Sequence, residues 1–219
     1  MTATAKYIAL QLATLCAAQT LTPTMALHSY LSTSGEAQSG CADAPMQVQI
    51  DAALPQLRKH GTMSGLRLVL QTGQVAYRDV RFAGDALIKT KVIARYLRRD
   101  MERRSRAGEY DIAPRNYRIQ YSYTSAYNGS TAYVFRLKPK RRNPGLLKGE
   151  LWLNADTGAP LRVWGDFVRS PSIFLRSIHI VQDYQQLGSC AQPLRLLVTV
   201  RTRIAGEADL SVWWRAEGR

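Results

Sequence analysis

Residues 117–137 read YRIQYSYTSAYNGSTAYVFRL, and the fold turns on them. Tyr117, Ile119, Tyr121 and Tyr123 occupy alternate positions, with Arg118, Gln120 and Ser122 between them. That period of two makes a strand with one apolar face. Asn128-Gly129 is the pair favoured in two-residue hairpins, where both central residues take positive φ. Tyr133, Phe135 and Leu137 resume the alternation on the way back. The segment therefore predicts a hairpin with an aromatic face.

The same grammar extends both ways. Residues 147–153 (LKGELWL) read as a strand, 154–158 (NADTG) as a turn and 161–168 as the returning strand. Ser170-Pro171 interrupts the chain before a strand over 173–181. Leu194, Leu196, Val198, Val200 and Ile204 alternate with Arg195, Thr199, Arg201 and Arg203, and Gly206 turns the chain into 208–214. Upstream, Leu66, Leu68 and Leu70 and then residues 75–82 give two more strands around Thr72-Gly73. A helix is predicted over 86–106, where Ile93, Leu97 and Met101 recur every four residues behind a capping Asp85 and ahead of Gly108. A shorter helix is predicted over 45–60, with Val48, Ala52 and Leu57 as its stripe. Short connections force antiparallel neighbours, and a long meander must curl. The expectation is a mainly β domain over 45–219: a strongly curved antiparallel sheet, or incomplete barrel, of about nine strands plugged by one or two helices.

The chain's 219 residues are 46% hydrophobic, enough for a packed core and against wholesale disorder. Lys+Arg is 30 against 16 Asp+Glu, a net charge of +14. The excess is concentrated. Windows 89–106 and 136–148 carry fourteen of the basic residues, opposed only by Asp100 and Glu102. The rest of the chain is close to neutral. Such patches point to an anionic partner. Lys138, Lys140, Arg141 and Arg142 are the candidates for contact with a headgroup or an anionic membrane surface.

Residues 7–18 (YIALQLATLCAA) form an apolar run behind Lys6, and Thr24-Met25-Ala26 offers small residues for cleavage. This predicts a signal peptide over 1–26, a linker over 27–44 and a periplasmic protein; a buried N-terminal helix is the alternative. Removal of the leader takes Cys16 and leaves Cys41 and Cys190, either as one disulfide or as two separate buried thiols. His28, His60 and His179 are scattered, without metal-ligand spacing, and no nucleophile elbow or phosphate loop occurs. No metal, cofactor or catalytic residue is assigned, and the chain is read as non-enzymatic.

One resemblance adds to this. It is carried by LKPKR at 137–141, GELWL at 149–153 with Asp156, Leu161-Arg162, Gly165, Pro171-Ser172, IHIVQDY at 178–184, Gly188, Pro193 and TRIAGEADL at 202–210. In their order and spacing these motifs resemble the LolA-like superfamily, related to the bacterial lipoprotein-localisation carriers. The resemblance implies a helix-plugged half-barrel around an apolar cavity that takes acyl chains. Together the readings give a monomeric periplasmic carrier of lipid or lipoprotein acyl chains. The cavity is expected to be lined by Leu68, Tyr121, Tyr133, Phe135, Trp152, Val163, Leu175 and Val198. The rivals are an envelope interaction module with a filled core and, after it, a nucleic-acid-binding protein using the basic patches.

Overall fold

The computed structural model describes residues 20–36, 44–72, 74–102, 108–187 and 190–216. Ten strands, each antiparallel to its neighbours, make one unclosed sheet. In chain order they are β1 (Met46–Leu54), β2 (Lys59–Val69), β3 (Val75–Gly84), β4 (Tyr117–Tyr127), β5 (Ser130–Pro139), β6 (Leu147–Asn154), β7 (Pro160–Phe167), β8 (Leu175–Leu187), β9 (Cys190–Thr202) and β10 (Glu207–Ala216). Across the sheet the order is β3-β2-β1-β10-β9-β8-β7-β6-β5-β4. β4 to β10 form a simple meander, and β1 joins it to the N-terminal hairpin by pairing with both β10 and β2.

All nine expected strands are present, and the tenth is a correction. Residues 45–60 form no long helix; they are β1 followed by a single 3-10 turn, Pro55–Leu57. The alternation of Met46, Val48, Ile50, Ala52 and Leu54 with Gln47, Gln49 and Asp51 is stronger than the four-residue stripe. The odd-numbered members of that run are the exposed or half-exposed ones. Asn128 (φ 48°) and Gly129 (φ 80°) make the hairpin expected of them.

Two helical elements lie on the sheet's inner face. α1 (Pro23–Glu36) covers what the sequence suggested as the leader's end and a linker. The second runs from a π-helical turn, Ile88–Ile93, straight into α2 (Ala94–Glu102). Asp85 caps its start, accepting from the Leu87 amide at 2.8 Å and from Lys59 Nζ at 3.2 Å. Those bonds, the Leu87 amide foremost, hold the Asp85 carboxyl below its ordinary range.

Register assigns the faces. One inner row crosses nine strands: Tyr121, Phe135, Leu151, Val163, Gln182, Leu196, Val212, Ile50 and Met63. Its two ends belong to two separate cores. Met46, Val48, Ile50, Met63, Val212 and Trp214 pack beneath Ile88, Ile93 and Leu97. Tyr117, Phe135, Leu137, Leu151, Leu153 and Val163 pack with Leu27 and Tyr30 of α1. A curved sheet lets each plug bury its own patch. Gly149 and Gly165 face each other between β6 and β7, where a Cβ on Gly149 would sit 1.9 Å from the Trp164 carbonyl oxygen. Only glycine permits this approach of the two backbones.

Candidate functional site

Between the two cores runs an apolar strip. On the inner face Ile180, Val198 and Leu210 form one cross-strand row, and Ile178, Val200 and Ala208 form the next. All but Ile178 are half-buried; Ile180 packs against the α1-side core, Ala208 and Leu210 against the α2-side core, and Val198 and Val200 lie between them. The glycine pair flanks the strip, with Gly165 opposite Ile180. The strip suits an elongated apolar group lying along the sheet.

The space under α2 is different. Ile88 and Ile93 are fully buried against β1 and β10. Arg67 Nε and Tyr77 OH both reach Asp100 of α2, at 2.8 and 2.7 Å, locking the helix to β2 and β3. Burial opposes charge on Arg67, but the Asp100 carboxylate outweighs it and raises the guanidinium further; burial and the same carboxylate push the Tyr77 phenol far up. Met101, expected on the buried stripe, is exposed, because after Ile93 and Leu97 the inward place is taken by Asp100, held there by Arg67 and Tyr77.

The eight predicted lining residues divide. Tyr121, Tyr133, Phe135, Val163, Leu175 and Val198 share the inner face. Of these, Phe135 and Val163 are inside the packed core, while Val198 lies on the strip. Trp152 and Leu68 are corrections. Trp152 pairs with Val134 and Arg162 on the outer face because Leu151 and Leu153 take the inner positions. Leu68 follows Arg67, which is inward, and so points outward. Tyr123 leaves the face of Tyr121 at a β-bulge, which turns everything beyond it. Of two shallow clefts, one of about 330 Å³ is lined by Asp51, His60, Thr199 and Asp209 together with Val198 and Leu210, and one of about 440 Å³ by Glu109, Tyr110, Asn116 and Arg141.

The outer face carries a network that sequence reading missed. Asp183 is nearly inaccessible and accepts from Arg162 Nε (2.6 Å), Arg195 (2.6 and 3.0 Å) and Tyr127 OH (3.0 Å). Burial pushes this carboxyl up, yet the two arginines and Tyr127 prevail and hold it below its ordinary range. The arginines stack further, Arg162 over Tyr127 at 4.8 Å and Arg195 over Trp213 at 5.2 Å. Beside them Glu150 Oε2 accepts from Trp152 Nε1 and Trp164 Nε1, both at 3.0 Å, and from Tyr123 OH at 3.3 Å. An acid in mid-strand, inside IHIVQDY, was the available signal.

His179 Nδ1 lies 3.0 Å from Asp166 Oδ1 across β7 and β8, an ordinary surface pair. Among the described residues no group of His, Cys, Asp and Glu side chains could hold a metal. Lys138, Lys140, Arg141 and Arg142 are exposed and, among the described residues, make no ion pair. Cys41 and the side chain of Cys190 lie outside the described residues, and with them the disulfide question. No helix among the described residues is long and apolar enough to cross a membrane.

No family model and no curated protein matches the sequence. Solved structures do match. The LolA superfamily protein NE2245 from Nitrosomonas europaea is 14% identical over 89% of this chain and 92% of its own, with a TM-score of 0.42. An outer membrane lipoprotein-sorting protein domain from Vibrio parahaemolyticus is 12% identical over 87% and 92%, TM-score 0.42. A DUF1329 family protein from Desulfovibrio piger is 8% identical over 89% and 93%, TM-score 0.43. The chain is similar to LolA superfamily proteins. At these identities and scores, function has to be read from this chain's own side chains.

Proposed function

We propose that the protein is a non-enzymatic periplasmic binder or carrier of lipid-like acyl chains, held on the inner strip between the two plugs. The observation that carries this is the partial exposure of Ile180, Val198, Val200 and Leu210 on a concave face whose flanks are fully packed. Each Å² of apolar surface a ligand covers there contributes about 25 cal/mol, so a chain-shaped ligand needs no covalent chemistry. Residence in the periplasm follows from the leader-like N-terminus. We place the cut before Leu21 rather than at Ala26. Leu21 bonds Ala155 and Tyr133 through its backbone, and Ala26 is fully buried.

Native mass spectrometry and lipid extraction of the purified protein test the reading. Co-purified lipid, or uptake of a fluorescent fatty acid that Val198→Asp abolishes without unfolding the chain, supports it. A protein that is ligand-free and takes up no fatty acid overturns it. In that case the second reading stands, an envelope interaction module, which the burial of Ile88, Ile93 and Leu97 under the second helical element favours.

A further inference from the structure

Four loops meet at one end of the sheet. They are the β1–β2 turn, the β5–β6 loop at 140–146, the β7–β8 loop at 168–174 and the β9–β10 loop at 203–206. Register puts them there: Ala53 opposite Asp209, Leu147 opposite Phe167, and Leu175 opposite Thr202. Hydrogen bonds tie them to one another. The Arg203 amide and its Nε donate to the carbonyls of Phe174 and Ile173, both at 2.8 Å. Arg142 reaches the Val168 carbonyl at 3.5 Å, and Gln56 Oε1 accepts from the Glu207 amide at 3.0 Å.

This end exposes the side chains a fold normally hides. Ile204 is 82% exposed, Ile173 79%, Phe174 56% and Leu57 48%. Around them stand Arg58, Arg141, Arg142, Arg169, Arg176 and Arg203, all exposed, and none in an ion pair among the described residues. Of the acids at this end, Glu207 pairs with Arg201, Asp166 with His179, Asp85 with Lys59 and Asp111 with Arg115, while Glu109 lines a cleft with Arg141. Apolar points ringed by unpaired arginines match the layering of an anionic bilayer surface, where phosphates overlie the acyl boundary.

We propose that this end of the sheet docks on an anionic phospholipid bilayer, with Ile173, Phe174 and Ile204 entering the headgroup boundary and the arginines gripping phosphates. A protein partner fits less well. The apolar residues stand on three loop tips, Leu57, Ile173 with Phe174, and Ile204, and no groove is built from them, whereas a fluid headgroup layer accepts protruding side chains. A nucleic acid would use the arginines and leave the aliphatic apices without a role. The docking end is independent of the inner strip and acts whether or not a ligand lies there.

Flotation of the purified full chain with vesicles decides it. The protein should float with equimolar phosphatidylglycerol–phosphatidylcholine vesicles, release as salt rises, and stay in solution with phosphatidylcholine alone. The double variant Ile173→Ser, Ile204→Ser should bind about tenfold or more weakly with an unchanged melting curve, since burying such side chains even in part is worth that much. A Phe174→Trp variant should gain fluorescence that brominated acyl chains quench beyond the native background. No flotation overturns the proposal. Unchanged binding of the double variant, or absence of added quenching, also overturns it by reducing the contact to charge alone. Tight capture by duplex DNA or RNA with vesicles ignored assigns the end to nucleic acid instead.

Discussion

The inner and outer faces of the same strands are held by different forces. Inside, the row from Phe135 through Val163 to Ile50 is apolar except at Gln182, and helices cover both ends of it. Outside, the adjacent row runs Trp152, Arg162, Asp183, Arg195 and Trp213 and is held by charge and aromatic stacking. A half-barrel needs both. The inner row curls the sheet around its plugs. The outer row, stretched over the convex side where side chains splay apart, uses long residues that can still reach their neighbours. The difference makes the two faces fail differently.

The inner face should fail hardest. Phe135→Ala empties the middle of the α1-side core, where Phe135 touches the Tyr121 ring at a centroid distance of 5.9 Å and is essentially inaccessible. Removing a fully buried aromatic costs about 3–5 kcal/mol. Urea unfolding should show that loss as a lower midpoint with an unchanged slope. A loss under ~1 kcal/mol would mean that this core is not what holds the sheet's β5–β6 side.

The outer face comes next. Asp183→Ala leaves two arginines facing each other at a site where the carboxylate is buried and the guanidiniums are about one-third accessible. That accessibility brings the expected cost below that of a fully buried pair, to about 2 kcal/mol. Replacing Arg195 by Met in the same chain should recover part of it, since the double variant removes the repulsion as well as the attraction. Purely additive losses would show that the outer row is a set of independent contacts rather than a network.

The same carboxylate gives the outer face a pH dependence. Asp183 is held below its ordinary value in the folded state. Its contribution is therefore complete above the unfolded-chain value of about 3.9 and is lost as pH falls through the lowered folded value. Between neutral pH and pH of about 3, wild type should lose stability faster than Asp183→Asn, so that the two curves converge in acid. Parallel curves would remove Asp183 from the acid response. Phe135→Ala, by contrast, should be offset from wild type by a constant amount throughout.

The faces also differ in how far they could be read from sequence. The strands of the inner face announce themselves by alternation, so nine of the ten were legible along with the half-barrel they build. β1 was missed because Ala52 and Ala53 suit a helix and Leu57 completed a false stripe, although Gln47, Gln49 and Asp51 already marked period two. Facing errors arose at two local features: the bulge between Tyr121 and Tyr123, and Asp100, which takes the inward place the stripe assigned to Met101. Sequence carries little trace of either. The outer row left only one trace, Asp183 in mid-strand, for another reason. Arg162, Asp183 and Arg195 are brought together only by pairing of β7, β8 and β9, and no spacing along the chain encodes that. The apolar apices Ile173 and Ile204 were likewise counted as strand residues, because only the fold shows that they stand beyond the last pairs.

The smallest effect probes a polar bond on the α1 side of the inner face. Tyr133 lies inward, and its hydroxyl donates to the Leu21 carbonyl at 2.6 Å, while the Leu21 amide donates to the Ala155 carbonyl at 2.9 Å. These two bonds lead the chain into α1, whose Ala26, Leu27 and Tyr30 pack on β5 and β6. Tyr133→Phe keeps the ring and removes the donor, so the loss should be about 1 kcal/mol, the usual net value of one hydrogen bond. It should also be local. Hydrogen exchange should quicken at α1 and leave α2 unchanged, because α2 is held by Asp100, Arg67 and Tyr77 at the far side of the sheet. Equal quickening in both helices would mean that the two plugs form a single cooperative unit, and the inner strip between them would then open and close with both.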